Sequence, residues 1–269
     1  MVRNKALCAA LAVAFSANLI LFFVKLYIGL RTNSISIYSD AVNNLFDSLS
    51  GLITLIFMSV IIKRSGSSSG RTVEKGEQLF SMLISITVTL AGLGFGYTAF
   101  ERLMYPTPVW FTYGYAFMLA GTAAAKMILY FVYNIFFKKS YSPVIKVMRY
   151  DCILDFFITA VTVVTLIVSK FGLYALDAVA GIIISAAMVI TAVKLVISSG
   201  KLLVNYVSPE TREILAGLLP DSVRIVTFES TSSGITAFLS SELPQEDLSA
   251  LRRECLEKAG VEIFTVKGE

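Results

Sequence analysis

Six long apolar runs, separated by short polar connectors, restrict what this chain can fold into more than any other feature of it. They cover roughly residues 6–30, 36–62, 78–103, 109–137, 147–169 and 174–203. A helix needs about 20 apolar residues to cross the ~30 Å hydrocarbon core of a bilayer, and every run is long enough. Inside that core the backbone must satisfy its own hydrogen bonds, so such runs become helices. Composition agrees: 56% of the 269 residues are hydrophobic and 16% charged, where a soluble domain carries about 25% charged residues. The first run exceeds the apolar segment of a secretion signal, about 7–15 residues, and reads as a spanning helix. Lys25 interrupts it near one end, where a lysine is expected to snorkel to the interface.

The connectors carry turn chemistry. They fall at 31–35, at the Ser/Gly stretch 65–70, at the Pro-containing 105–108, at 138–143 and at 171–172. The stretch 65–70 reads as a plain flexible linker. Trp110, Tyr113 and Tyr115 stand near a span end, as an aromatic belt requires. Ten Lys/Arg residues, from Arg3 to Arg149, fall in the loops of one side, and only Arg31, Arg102 and Lys170 on the other. That bias puts both termini in the cytoplasm, in agreement with an even number of spans. Hydropathy drops after Lys201. The chain therefore divides into a six-helix, all-α transmembrane domain over 1–206 and a short cytoplasmic domain over 207–269. In the latter, helices are predicted at 209–219 and 247–259, the second closed by Gly260. Strands are predicted at 223–229, 235–240 and 261–266, with a turn at Ser232-Ser233-Gly234. The order αββαβ defines a small α+β layer fold.

Several classes of function drop out. A net charge of +4 gives no argument for nucleic acid. Cys8, Cys152 and Cys255 lie far apart and read as reduced thiols without a ligand role. The chain has no histidine, so any site works without imidazole. Neither a Ser/His arrangement nor HExxH is present, which speaks against an intramembrane enzyme.

What remains is a set of acids where acids are expensive. An ionisable side chain at the centre of a span costs about 2.5–3.5 kcal/mol on insertion scales. In the second span Asp40, Asn43 and Asp47 recur at i, i+3 and i+7 and share one helix face. In the fifth, Asp151 and Asp155 repeat the i, i+4 spacing. Two helices presenting such pairs can converge on one point, surrounded by three carboxylates and an amide. A divalent cation there neutralises most of the charge, and protons take its place when it leaves. Asp40, near the outer end of its span, fits an interface in water as well as a site. Asp177 opens the sixth span and is expected at the outer interface. Glu77 precedes the third span at the cytoplasmic side, where it could guard an entrance. Lys126, in the middle of the fourth span, is expected to pair with one of the acids, and Glu101 and Arg102 are expected to be solvated.

At these residues the chain resembles the cation diffusion facilitator family, over nearly its whole length. The resemblance rests on six spans with cytoplasmic ends and on Asp40-Ala-Val-Asn43-Asn44-Leu-Phe-Asp47 in the second. It rests also on Gly76-Glu77 before the third, Asp151 and Asp155 in the fifth, and Leu176-Asp177-Ala178-Val179-Ala180-Gly181 opening the sixth. It implies a homodimeric exporter of divalent metal in exchange for protons, in a bacterial-type plasma membrane, with no permanently bound cofactor. Carried over by position, the transported ion would sit on Asn43, Asp47, Asp151 and Asp155. Zinc-transporting members commonly place histidine first in one or both pairs; Asn43 and Asp151 stand there instead. Oxygen ligands suit a harder ion, and the pattern is similar to that of the manganese-type subgroup, with iron, zinc, cobalt and cadmium as alternatives. The C-terminal domain is similar to the family's ferredoxin-like module. Without histidine that module's histidine-based sites are absent; Glu229, Glu242 and Glu257 could bind a cation weakly, and they read as solvated. A different class, a membrane receptor or scaffold whose acids hold a partner helix, predicts no metal flux.

Overall fold

A computed structural model describes residues 2–63, 67–140, 143–220, 223–231, 234–240 and 245–265. Its order is α1 (Val2–Thr32), α2 (Ile35–Lys63), α3 (Ser67–Met104), α4 (Tyr113–Ser140), α5 (Pro143–Ser169), α6 (Ala175–Leu203), α7 (Pro209–Leu218), β1 (Arg224–Thr231), β2 (Gly234–Ser240), α8 (Gln245–Ala259) and β3 (Val261–Thr265). Six of the described helices, α1 to α6, are long and apolar enough to cross a membrane. They leave large apolar side chains such as Tyr97, Leu90 and Phe117 exposed, a surface that is stable only against an apolar solvent.

Of the helices that begin elsewhere than expected, two have a physical reason in the connectors. α3 starts at Ser67, so most of the Ser/Gly stretch is helix and not a free linker; Ser65 and Gly66 lie outside the described residues. An established span extends at one residue per hydrogen bond, which overrides the weak propensity of a few serines. α4 starts at Tyr113 because Pro106 and Pro108 hold the preceding segment extended. That segment is tied to the α1–α2 turn: the Trp110 amide donates to the Thr32 carbonyl at 2.8 Å, and the Asn33 amide group donates to the Pro108 carbonyl at 3.1 Å. Asn33 makes the turn in the left-handed region, at φ +56°. Arg102 is not solvated as expected; its guanidinium donates to the Asn33 carbonyl at 2.5 Å and to its side-chain oxygen at 2.9 Å.

The chain forms two compact units. The first runs to Val73 and resumes over Phe80–Val196; the second takes Glu74–Leu79 and the described residues from Ile197 onward. In the first, Ala10, Ala14, Leu129, Tyr133 and Cys152 pack α1, α4 and α5 together, and Ile28, Ile37, Leu119 and Leu166 extend that packing toward the other end of the helices. α3 meets α6 through small residues. A Cβ on Gly92 would lie 2.8 Å from the Val189 Cγ2, and one on Gly181 would lie 2.9 Å from the Ile35 Cγ2 and 3.2 Å from the Ala99 Cβ. Close backbone approach is how helices gain contact in lipid, where no hydrophobic effect drives them together.

The second unit has the expected αββαβ order. Ser208 caps α7 by accepting from the Thr211 amide at 3.1 Å, with Pro209 following it. β1 and β2 pair antiparallel, and β3 joins β2 in parallel by way of α8. Gly260 ends α8 at φ +65°, the conformation glycine supplies at least cost. Leu215, Ala237, Leu239, Cys255, Val261 and Ile263 fill the core. Ser232 and Ser233 of the expected turn, Val266 of the last strand and Glu242 lie outside the described residues.

Candidate metal centre

The helical period delivers Asp40, Asn43, Asn44 and Asp47 to one side of α2, and Asp151, Asp155 and Thr159 to one side of α5. The two sides meet at Asp155. The Asn43 side-chain amide donates to its Oδ1 at 3.2 Å, and the Lys126 ammonium of α4 pairs with its Oδ2. Lys126 also donates to the Asn18 Oδ1 of α1 at 2.7 Å. Side chains of α2 and α4 thus meet on one buried carboxylate of α5, and α1 holds the lysine from behind. The expected pairing of Lys126 with an acid is present, and Asp155 is the partner.

Asp47 is half-buried and Asp151 exposed, and neither makes a hydrogen bond or ion pair among the described residues. Both face open space. A cavity of about 380 Å³ lies against α2, α3, α5 and α6, and one of about 180 Å³ lies against α1, α2, α4 and α5. Asp47, Asp151 and Asp155 line both; Asn43 lines the larger and Lys126 the smaller. The α2–α5 pair is a wall between two chambers, with its acids reaching into each. Of the four residues expected to surround an ion, Asn43 and Asp155 touch, and Asp47 and Asp151 stand beside them. Among the described residues, no group of three His, Cys, Asp or Glu side chains is drawn tightly enough to hold an ion.

Asp40 belongs to a second cluster. It is completely buried and not in interfacial water, and Lys25 does not snorkel: its ammonium, equally buried, donates to the Asp40 Oδ1 and the Thr159 hydroxyl, each at 2.8 Å. The Thr159 hydroxyl lies 3.1 Å from the Asp40 Oδ2 and 2.8 Å from the Asp155 carbonyl, so it links the two clusters. An ammonium this deep is held by its partners, because a buried charge survives only when paired. The Asn44 amide group donates to the Asp40 carbonyl at 2.8 Å.

Asp177 is likewise buried, not at an open interface. It accepts from the Ser34 and Ser36 hydroxyls at 2.5 Å each and from the Ile35 amide at 2.8 Å. A carboxylate of α6 therefore closes the first turn of α2, where free amides favour a negative charge. Glu77 is half-buried on α3 and lines neither cavity. Asn18, Lys25 and Thr159 are the participants that motif reading missed. Asn18 and Lys25 recur at i, i+7 in an otherwise apolar run, a spacing that places both on one face.

Six membrane-capable helices around buried charge pairs, with an acidic wall between two cavities, define a polytopic membrane protein built around an intramembrane polar site. Residues 11–204 match the cation efflux transmembrane domain, and the chain belongs to that family, the cation diffusion facilitators. It is also similar to a protein of Methanocaldococcus jannaschii described as an uncharacterized transporter, at 28% identity over 179 residues. That match covers 65% of this chain and 62% of the relative.

Proposed function

We propose that the chain is a transporter, not an enzyme, which exports a divalent metal ion through Asn43, Asp47, Asp151 and Asp155. The observation that carries the reading is the meeting of α2 and α5 at the Asn43–Asp155 hydrogen bond, with Asp47 and Asp151 lining the same two cavities. An ion that draws Asp47 and Asp151 inward from the cavities toward Asp155 completes an oxygen site. Oxygen donors without imidazole or thiolate favour manganese, with iron next. Proton binding to the three carboxylates releases the ion in exchange, by alternating access around the α2–α5 pair.

In the same reading the protein works as a homodimer in a bacterial-type plasma membrane with both termini cytoplasmic, residues 207–269 forming the cytoplasmic domain. Lysine and arginine bias supports that orientation. Proteoliposomes with an imposed pH gradient test the proposal. Wild-type protein is expected to move manganous ion against the proton flow, and Asp47→Ala and Asp155→Ala to lower the rate more than about 100-fold, beyond the 10–100-fold typical of supporting residues. Retained transport in both variants overturns it. Zinc, cobalt and cadmium competition in the same vesicles ranks the alternative substrates, and absence of flux for every metal favours a receptor or scaffold.

A further inference from the structure

We infer that Lys126 is a tethered competitor of the transported ion: its ammonium holds Asp155 and opposes a divalent cation there unless it withdraws onto Asn18. The inference rests on the proposed metal site and adds to it a residue that sets affinity and charge selectivity.

Both oxygens of Asp155 are already engaged, one by the Asn43 amide and the other by the Lys126 ammonium. Each oxygen keeps a second lone pair for a metal ion, but an ammonium on the same carboxylate repels a doubly charged ion bound there. Lys126 therefore opposes the ion for as long as it stays on Asp155. The structure supplies a destination: the Asn18 Oδ1 of α1, 2.7 Å from the same ammonium. Asn18 and Lys126 both line the smaller cavity, whose volume of about 180 Å³ leaves the lysine head room to turn. An amide oxygen accepts from the ammonium at either stage, so the charge is never stranded in the interior.

Charge count points the same way. Three carboxylates and one ammonium line the two cavities, which leaves two negative charges when all are ionised. Lys25 and Asp40 cancel each other nearby. The chambers are matched to a doubly charged ion only while Lys126 stays in them. A neutral residue at 126 leaves three negative charges and a free Asp155.

Opposite shifts in two variants test this. The full-length protein in detergent is titrated with manganous ion, the dissociation constant is read by calorimetry, and gel filtration checks folding. Lys126→Gln is expected to bind at least about tenfold tighter, the least that removing a cation from a partly buried site should yield. Asn18→Leu takes away the lysine's destination without touching a ligand and is expected to bind severalfold more weakly. Unchanged or weaker binding in a folded Lys126→Gln overturns the inference. Should that variant aggregate, Asn18→Leu decides: unchanged or tighter binding overturns the inference, and weaker binding supports it. If wild-type protein binds neither manganese, zinc nor cobalt, the metal reading itself fails and takes the inference with it. Wild-type binding that Asp155→Ala abolishes and Lys126→Gln leaves unaltered removes the inference alone.

Discussion

Lys25 and Asp40 form an ion pair with no exposed surface on either side chain. Removing one member leaves the other charged in a dry interior, which costs about 3–5 kcal/mol, whereas replacing both with apolar residues of similar volume is often neutral. Lys25→Met is therefore expected to lower the melting temperature sharply in detergent, and Lys25→Met combined with Asp40→Leu to recover most of the loss. Equal melting of the two variants contradicts this. The acids were legible because helical spacing marks them: Asn43 with Asp47, and Asp151 with Asp155, announce two faces. Their cationic partners were less so. Lys25 reaches a carboxylate 15 residues away and a hydroxyl 134 residues away, and only the packing of α1 against α2 and α5 decides that it turns inward. Nor does spacing reveal that Asp155 is engaged while Asp47 and Asp151 are not.

Among the elements, α3 and α6 depend on residues that carry no chemistry. With 2.8 Å between a Cβ on Gly92 and the stiff Val189 side chain, Gly92→Leu forces the helices apart and is expected to destabilise the protein by about 1–3 kcal/mol, the usual cost of overpacking. Thermal melting in detergent is the check, with Gly94→Leu, which meets nothing within 4 Å, as the control. Asp177→Ala removes the shared acceptor of two hydroxyls and leaves the Ile35 amide at the start of α2 without its partner. A loss of about 1–3 kcal/mol is expected, the desolvation cost of an unsatisfied buried group, with faster hydrogen exchange at Ile35 as the local signature. The six spans were legible from length and hydropathy alone. Their ends were not, since Asp177 at a span terminus looks solvated until the Ser34-Ile35-Ser36 turn is seen folding over it.

At the scale of the molecule, the C-terminal unit offers a probe of its own. Cys255 is buried in its core, and burial, with Glu254 adding to it, raises the thiol above its ordinary range. The folded form thus keeps a proton that the unfolded chain gives up. Its stabilising effect is complete below the unfolded thiol pKa of about 8.5 and fades as pH rises through the folded value. Alkylation of Cys255 is expected to be slow at neutral pH and to speed up steeply above pH 9 as the unit loosens; uniform reactivity across that range speaks against it. The αββαβ order of this unit was legible from turn residues such as Gly260 and from its alternating strands. The units themselves intermix in the chain, with Glu74–Leu79 assigned apart from the rest of α3, a division that local sequence cannot express.

Because α2 and α5 carry their acids where two chambers adjoin, a passenger under the proposed export keeps one company whichever chamber it touches. The same oxygens greet it at arrival and at departure. Discrimination among cations then happens at a single doorway, and a substitution on that threshold alters loading and discharge by one common factor.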